Sequence, residues 1–264
     1  MKIALIQMRS GTEIAANILA ASKAITQAAK AGARFIATPE MTHLLEKDPK
    51  ALRAKVRPQD QDLGVKAFST LAADLGVTLL IGSLAIKRPD GQIANRSFVF
   101  GPDGLVAARY DKIHLFEAAI STRETYREAD TYTAGDTAII APVGELNLGL
   151  SICYDVRFAD LYRGYAQAEV DMISVPAAFT TATGKAHWET LLRARAIETG
   201  AYILAPAQGG KHEDGRQTWG RSMVVDPWGK VIAKLDHNKP DILFADIHPK
   251  KVASARAMIP AWRS

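Results

Sequence analysis

Short apolar runs rich in β-branched residues alternate with amphipathic segments along most of the chain. Apolar residues recur at intervals of three and four in Ile14–Lys30 and Leu63–Leu75, which indicates helices with one buried face. Two further helices are predicted at Phe158–Ala166 and Lys185–Glu198. This alternation predicts an α/β fold in which helices are layered on sheets. The predicted strands of the first two thirds are Lys2–Met8, Arg34–Ala37, Val77–Leu84, Arg96–Phe100, Leu105–Tyr110, Ala138–Ala141, Leu146–Ile152, Asp171–Val175 and Ala201–Pro206.

The last third of the chain is dominated by strands. Arg221–Val225, Lys230–Leu235 and Ile242–Ile247 follow one another, and Asp226–Gly229 has the composition of a turn between the first two. The polar stretch Ser121–Asp136 shows neither strand nor helix character. No fixed-period repeat or Pro/Ser-rich linker divides the sequence. Residues 1–264 are therefore predicted to form a single domain.

The composition and net charge limit the kinds of molecule that the protein is expected to bind. The 264 residues are 48% hydrophobic and 23% charged, which excludes a disordered chain and allows a sizeable core. The formal net charge is only +5, and the basic residues are scattered among acids, so a small-molecule partner is favoured over nucleic acid. No run approaches the roughly 18 apolar residues of a membrane helix, and no targeting signal is evident. One cysteine cannot form an internal disulfide, which favours a reducing compartment, and a cytoplasmic location is predicted.

That single cysteine, Cys153, stands where an apolar strand ends and a helical pattern begins. Ligands of α/β sheets bind at the carboxyl ends of strands. The free N–H groups of a helix start can also lower the pKa of a thiol and hold an oxyanion. These features favour a nucleophile, although a buried structural cysteine is consistent with the same position.

A nucleophilic cysteine needs a base. Of the six histidines, His114 and His187 are placed to serve, but no thiol-protease signature surrounds Cys153. The sequence also lacks a serine nucleophile elbow, a zinc-protease motif and a phosphate-binding loop. The spacing of His and Cys fits no metal site, and neither a metal nor a cofactor is predicted.

A carboxylate and an ammonium group occupy positions equivalent to that of the cysteine. Glu40 follows the strand Arg34–Ala37, and Lys112 follows the strand Leu105–Tyr110. Taken singly, a glutamate after proline fits a helix entry, and a lysine in a loop is usually solvated. Because all three groups lie just past a strand, a parallel or mixed sheet would bring them together.

In this order, Glu40, Lys112 and Cys153 resemble the Glu-Lys-Cys set of the nitrilase, or carbon–nitrogen hydrolase, superfamily. The matching segments are Thr38–Glu40, Tyr110–Leu115 and Gly149–Phe158, with Glu128–Asp136 similar to the segment that supplies a second glutamate. Other segments resemble the Nit branch of that superfamily: Pro176–Thr180, Thr183–Trp188, Leu191–Glu198 and Ser222–Gly229. Arg221 departs from the histidine usual in that branch, and Phe116–Ala119 replaces the commoner Phe-Asp pattern.

The resemblance implies a four-layer α-β-β-α sandwich that associates through a helical face into a homodimer or a higher homo-oligomer. It also implies hydrolysis of a small carboxamide to a carboxylate and ammonia through a thioester. Cys153 is then the nucleophile and Glu40 the base, while Lys112 holds the oxyanion together with a backbone N–H near Tyr154. Glu128 is implied as the supporting carboxylate, and Glu124 is the rival for that place.

Several residues near the nucleophile are expected to bind substrate. Arg157 is expected to bind a carboxylate, because a guanidinium group matches one bidentately, although a helix-surface arginine is equally consistent. Tyr154, Ala177, Phe179 and Thr180 are expected to line the pocket.

The Nit-branch segments favour deaminated glutathione as the substrate and 2-oxoglutaramate, the substrate of an omega-amidase, as the alternative. Hydrolysis of a nitrile or carbamoyl substrate by the same three residues stays open. A non-enzymatic interaction protein is disfavoured, because it would not need a nucleophile together with its base.

Overall fold

Two mixed β-sheets pack face to face, and helices cover their outer surfaces. The computed structural model describes residues 1–121 and 124–263, apart from the side chains of Ile120, Ser121 and Glu124. Within that part of the chain the helices are α1 (Ile14–Lys30), α2 (Pro49–Lys55), α3 (Leu63–Leu75), α4 (Ala159–Gln167), α5 (Thr181–Thr199) and α6 (Pro249–Met258). Short 3-10 helices cover Glu128–Asp130, Cys153–Arg157 and Pro260–Arg263.

The strands follow the same alternating order along the chain. Those of the first half are β1 (Lys2–Gln7), β2 (Phe35–Ala37), β3 (Arg57–Pro58), β4 (Thr78–Lys87), β5 (Ile93–Phe100), β6 (Val106–Asp111), β7 (Glu117–Ser121) and β8 (Glu124–Arg127). Those of the second half are β9 (Ile140–Val143), β10 (Leu146–Leu150), β11 (Met172–Ser174), β12 (Tyr202–Ala205), β13 (Gly209–Lys211), β14 (Gln217–Trp219), β15 (Met223–Val225), β16 (Val231–Lys234) and β17 (Asp241–Asp246).

The first sheet has the strand order β17-β1-β2-β4-β5-β6, with β3 beside β4. Its strands β1, β2 and β4 are parallel, whereas β17 and β5 are antiparallel to their neighbours. The second sheet has the order β16-β15-β12-β11-β10-β9, and β10, β11 and β12 are parallel. The strands of each parallel set are joined by helices, as right-handed crossovers require.

The alternation along β1 shows how the layers are arranged. Successive side chains of a strand point to opposite faces. Ile3 and Leu5 belong to the core shared with the second sheet, whereas Ala4 and Ile6 pack with the apolar faces of α1 and α3. On the far side, α4 and α5 cover the second sheet with side chains such as Trp188. The predicted four-layer α-β-β-α sandwich is confirmed.

Most elements lie where the periodicity predicts them. Helices α1 and α3 begin and end at the predicted residues, and the strands differ from prediction by a few residues at their ends. The sequence pattern did not predict α2, α6, β3 or the hairpins β7–β8 and β13–β14. Where their side chains are described, these elements bury few apolar residues, and α2 buries only Leu52 among its own residues. Their hydrophobic signal was therefore too weak to detect.

The sheet geometry brings the predicted site residues to one edge. Strand β6 is antiparallel to β5, and β5 is antiparallel to β4, so β6 runs in the same direction as β2 and β4. The segments that follow β2 and β6 therefore leave the first sheet at the same edge. The segments that follow β10 and β11 meet them there from the second sheet. None of the helices within the described ranges is long and apolar enough to cross a membrane.

Gly82 marks the closest approach of these segments. A Cβ atom at this position of β4 would lie 2.2 Å from the carbonyl oxygen of Thr38 and 2.5 Å from Cβ of Pro176. Replacing Gly82 with alanine should therefore push the two loops apart and lower the free energy of unfolding by about 1–3 kcal/mol. Urea unfolding measures the change.

The matched control is Gly164→Ala in the exposed part of α4, where a Cβ atom would meet nothing within 4 Å. That change should stabilise the protein by about 0.5–1 kcal/mol, because alanine favours helix over glycine. Equal stabilities of the Gly82→Ala and Gly164→Ala variants would contradict the close packing of the loops.

Candidate active site

Glu40 lies in a tightly bonded turn after β2. The Thr38 amide donates to the carbonyl of Leu80 at 2.9 Å, and the Thr42 hydroxyl donates to the carbonyl of Pro39 at 2.7 Å. Met41 has a left-handed backbone with φ of 56°, and its amide donates to the Ser83 hydroxyl at 2.8 Å. The carboxylate of Glu40 is thus held at the sheet edge, and only 2% of the residue is exposed.

Cys153 opens the 3-10 helix after β10 with a positive φ of 50°. This backbone conformation is uncommon for a residue with a side chain and must be stabilised by its surroundings. The Cys153 amide donates to the carbonyl of Pro176 at 2.9 Å, and the Ile152 amide donates to a carboxylate oxygen of Asp155 at 2.8 Å. The thiol is therefore presented from a sharp, fixed turn between strand and helix.

Asp155 joins the turn at Cys153 to the loop after β6. Its fully buried carboxylate accepts hydrogen bonds from the Tyr110 hydroxyl at 2.6 Å and from the His114 amide at 2.9 Å. The His114 ring also contacts Asp155 through Nδ1 at 2.7 Å and stacks on Phe158. His114 is thus occupied in this network and does not line the cavity that contains the thiol.

Lys112 bridges two buried carboxylates. Its Nζ donates to Oε1 of Glu40 and to Oε2 of Glu128, each at 2.8 Å. A lysine ammonium group has three donors, so one remains for a further acceptor. The structure thus brings Glu40, Lys112 and Glu128 together next to Cys153. The side chain of Glu124, the rival carboxylate, lies outside the described part of the chain.

Three further groups that the sequence analysis missed hold the carboxylates. The Asn95 side chain donates from Nδ2 to Oε1 of Glu40 and to Oε1 of Glu128, each at 3.0 Å. The Ala178 amide donates to Oε2 of Glu40 at 2.9 Å, and the Phe116 amide donates to Oε2 of Glu128 at 2.7 Å. One feature of the sequence could have pointed to Asn95: a polar amide within a predicted buried strand needs a hydrogen-bond partner in the interior.

A cavity of about 1000 Å³ opens above these groups. Four of the predicted substrate-binding residues line it: Tyr154, Arg157, Phe179 and Thr180. The structure places the fifth, Ala177, outside the lining, where it is fully buried and paired with Ala207. Its neighbour Ala178 lines the cavity instead, because consecutive residues of an extended segment face opposite sides.

The cavity wall also carries positive charge. Arg157 lies over the rings of Tyr154 and Phe179, with distances of 5.7 and 5.4 Å from its Cζ to the ring centroids. Within the described residues it forms no ion pair with a carboxylate, and its Nη2 lies 3.3 Å from the ring of His187. Arg157 is therefore available to a negatively charged ligand.

Comparison with known proteins identifies the family. A family model described as carbon–nitrogen hydrolase matches residues 2–257. The chain belongs to the carbon–nitrogen hydrolase family. The resemblance carried by the sequence motifs is confirmed, and the enzyme class is that of hydrolases acting on carbon–nitrogen bonds other than peptide bonds.

Individual relatives resemble the chain over nearly its full length. It is 37% identical to the deaminated glutathione amidase of Synechocystis sp., over 98% of this chain and 95% of the relative. It is 34% identical to omega-amidase NIT2 of Homo sapiens, over 99% of this chain and 94% of the relative. The structure of Nit3 from Saccharomyces cerevisiae, a member of branch 10 of the nitrilase superfamily, matches with a TM-score of 0.89 and 27% identity, over 98% of this chain and 94% of that one.

In this carbon–nitrogen hydrolase the charges of the site shift two pKa values. Burial by itself would lower the pKa of Lys112, but the charges of Glu128 and Glu40 raise it well above its usual value. Burial raises the pKa of the Cys153 thiol well above its usual value, and the charge of Glu40 adds to this effect. Lys112 and the Ala178 amide oppose the rise. The thiol is therefore neutral at neutral pH, and Lys112 is positively charged.

Removing the shared ammonium should be costly to the fold. Lys112→Met leaves two buried carboxylates without their cation, so the free energy of unfolding at pH 7 should fall by about 3–5 kcal/mol. The raised pKa fixes the sign of the pH dependence. The contribution of Lys112 is fully present below its unfolded-state value of 10.5 and is lost as pH rises through the higher folded-state value.

Urea unfolding at pH 7 and above pH 10 measures both effects. Lys47→Met is the matched control, because Lys47 is an exposed lysine at the rim of the same cavity. It should change the stability by no more than about 0.5 kcal/mol. A similar loss in both variants would contradict a special role for the Lys112 ion pairs.

Proposed function

We propose that this protein is a thiol-dependent amidase that hydrolyses a small carboxamide through a thioester on Cys153. The observation that carries the proposal is the position of the buried thiol beside Glu40 and Lys112, with Glu128 on the far side of the same ammonium. A binding protein would have no use for two buried carboxylates whose charge is balanced only in part.

Glu40 is the base that activates the nucleophile. The raised pKa of Cys153 means that no thiolate is present beforehand, so the proton must leave as sulfur attacks the amide carbon. His114 is held by Asp155, and Glu40 is the carboxylate that influences the thiol most strongly. The attack forms a carbon–sulfur bond, moves the carbonyl electron pair onto oxygen and transfers the thiol proton to Glu40.

Lys112 stabilises the resulting oxyanion. Two of its three N–H donors go to Glu40 and Glu128, and the third is available to the developing negative charge. The backbone N–H of Tyr154, in the first turn of the 3-10 helix, is the second donor that we propose. Such preorganised donors each typically contribute about 10²–10³ to the rate.

The same carboxyl group then completes the reaction. Glu40 returns its proton to the amide nitrogen as the carbon–nitrogen bond breaks, which releases an amine and leaves the thioester. It next takes a proton from a water molecule that attacks the thioester, and the acid product leaves as Cys153 regains its proton. Glu128 keeps Lys112 in place throughout.

Deaminated glutathione is the substrate that we favour, and 2-oxoglutaramate is the alternative. Relatives named deaminated glutathione amidase and omega-amidase support these two choices. The leaving group differs: 2-oxoglutaramate releases ammonia, whereas deaminated glutathione is a secondary amide and releases the amine of cysteinylglycine. The sequence-based expectation of ammonia therefore applies only to a primary amide. A cavity of about 1000 Å³ has room for the longer substrate.

One product assay tests the function. Both substrates share the same acyl group and yield 2-oxoglutarate, which an NADH-coupled assay detects for either one. Ammonia and cysteinylglycine are then measured by separate assays, with glutamine and a simple nitrile as further substrates. The wild type should hydrolyse one of the two 2-oxo amides, and Cys153→Ala should retain less than about 1% of that rate.

The outcomes separate the alternatives. Faster release of cysteinylglycine supports deaminated glutathione, and faster release of ammonia from 2-oxoglutaramate supports the omega-amidase alternative. Turnover of the nitrile alone would place the protein among nitrilases. Residual activity well above 1% in Cys153→Ala would contradict the thioester mechanism.

Arg157 is proposed to bind the carboxylate of the shared acyl group. Arg157→Met should lower kcat/KM for both 2-oxo amides by about 10–100-fold, chiefly through KM, because a charge-assisted hydrogen bond is lost. Hydrolysis of a simple aliphatic amide without a carboxylate should not change. Arg127→Met is the control, since Arg127 is another arginine of the cavity rim but contacts Glu117 at 3.7 Å. Equal losses in both variants would argue against a specific carboxylate site.

The assembly and location remain proposals that follow from the family and the sequence. We propose a homodimer formed through a helical face, and exposed apolar side chains on the layer beside the second sheet support this. They include Ile197 on α5, Met258 on α6, and Trp228, each more than half exposed. We also propose a cytoplasmic location, because the lone cysteine must stay reduced to act.

A further inference from the structure

Asn95 occupies an unusual place in the first sheet. It lies within β5, is 2% exposed, and directs its amide group at the two carboxylates of the site rather than at the backbone. The Nδ2 atom has two hydrogens, and each has an acceptor at 3.0 Å, one on Glu40 and one on Glu128. The Nζ atom of Lys112 forms a second bridge between the same two groups.

The hydrogen bonds divide the two oxygens of Glu40 into different roles. Oε1 accepts from both Lys112 and Asn95, which fills its two lone-pair positions. Among the described residues, the Ala178 amide is the hydrogen-bond donor to Oε2. The Ala178 amide also lowers the pKa of the Cys153 thiol, which is consistent with Oε2, the oxygen bonded to that amide, facing the sulfur.

We propose that Asn95 is a positioning residue for the base: it fills Oε1 of Glu40 and leaves Oε2 to exchange protons with the thiol, the leaving amine and water. The proposal rests on the function given above and adds to it the atom that carries the proton. It also gives Asn95 a second effect, because its two donors hydrogen-bond to both carboxylates without adding a charge.

The charges of the site explain why an amide suits this position. Glu40 and Glu128 share a single ammonium group, so one cation balances two carboxylates. A second cation there would suppress the basicity of Glu40, and a third carboxylate would increase repulsion. The neutral amide stabilises both carboxylates by charge-assisted hydrogen bonds and leaves the total charge of the site unchanged.

Other charged or titratable groups face Glu40 from each neighbouring element. Lys112 follows β6, Glu128 opens the short helix after β8, and Cys153 follows β10. Tyr132 lies in the wall of the same cavity, and its buried hydroxyl is influenced by both carboxylates. Arg216, which reaches the neighbouring Met41 sulfur at 3.8 Å, adds positive charge from the hairpin β13–β14. None of these groups is altered in the test below.

The test compares Asn95→Ala with Ser97→Ala. Ser97 lies two residues further along β5, is equally buried and donates to the carbonyl of Gly82 at 2.5 Å, so its removal costs a buried hydrogen bond without touching the carboxylates. The measurement is kcat and KM for the 2-oxo amide that the wild type hydrolyses, from pH 5 to 9. Thermal unfolding reports the stability of each variant.

In Asn95→Ala the acidic limb of the pH profile of kcat/KM should move to higher pH by about one unit. The reason is that a carboxylate that loses hydrogen-bond donors binds a proton more readily. At pH 6 kcat should fall about tenfold, and KM should change little. Ser97→Ala should unfold at a lower temperature but keep the wild-type limb. An unmoved limb in a folded Asn95→Ala variant would overturn the proposal, since a structural amide would affect stability alone.

Asn95→Asp keeps the shape of the side chain and serves if the alanine variant does not fold. It removes the donors and adds a charge, so its limb should move further in the same direction. Should the wild type hydrolyse none of the amides, the proposed function fails, and alkylation of Cys153 by iodoacetamide still tests the network. Asn95→Asp should slow that alkylation several-fold relative to the wild type and to Ser97→Ala. Equal rates would overturn the role of Asn95.

Discussion

One ammonium group, that of Lys112, holds two buried carboxylates at the meeting point of the two sheets. Each carboxylate would be unstable in this position without a cation, because an unpaired buried charge costs several kcal/mol. Lys112 contacts both at 2.8 Å, and the backbone amides of Phe116 and Ala178 accompany it. The loops after β2, β6 and β11 and the turn after β8 therefore adopt their positions together. The ion pairs that hold these loops together therefore involve the same side chains to which we assign the chemistry.

The layered fold makes this meeting possible. Strands β2 and β6 of the first sheet and β10 and β11 of the second end at the same edge, and the segments that follow them contain Glu40, Lys112, Cys153 and Ala178. Close packing between the loops depends on small residues, because a Cβ atom at Gly82 would lie only 2.2 Å from the carbonyl oxygen of Thr38. The positive φ of Cys153 is maintained by hydrogen bonds that the Ile152 and Cys153 amides donate to the Asp155 carboxylate and the Pro176 carbonyl, rather than by its own preference. The nucleophile thus depends on contacts from elements that are distant in sequence.

The functional groups that lie at strand ends could be predicted from the sequence alone. Glu40, Lys112 and Cys153 could be predicted because each follows a recognisable apolar run, and α1 and α3 because their apolar faces repeat regularly. Asn95 could not, because it lies inside a strand and its role depends on side chains 55 positions before it and 33 after it. Ala177 was expected to line the cavity, yet its neighbour Ala178 does, since a shift of one residue reverses the facing of an extended segment. Elements with few buried apolar residues, such as α2, left no periodic signal.

The raised pKa of the thiol separates this site from one built on a cysteine and a histidine. A thiolate formed in advance would need a persistent positive neighbour, whereas here Lys112 is already shared between two carboxylates and Cys153 stays neutral. In the proposed mechanism the proton then travels with the reaction, from sulfur to Glu40 and on to the leaving nitrogen. This suits a poor leaving group, because an amine leaves readily only when it is protonated. A single carboxylate close to both atoms can carry that proton, and the hydrogen bonds that fix Glu40 keep it within reach of both.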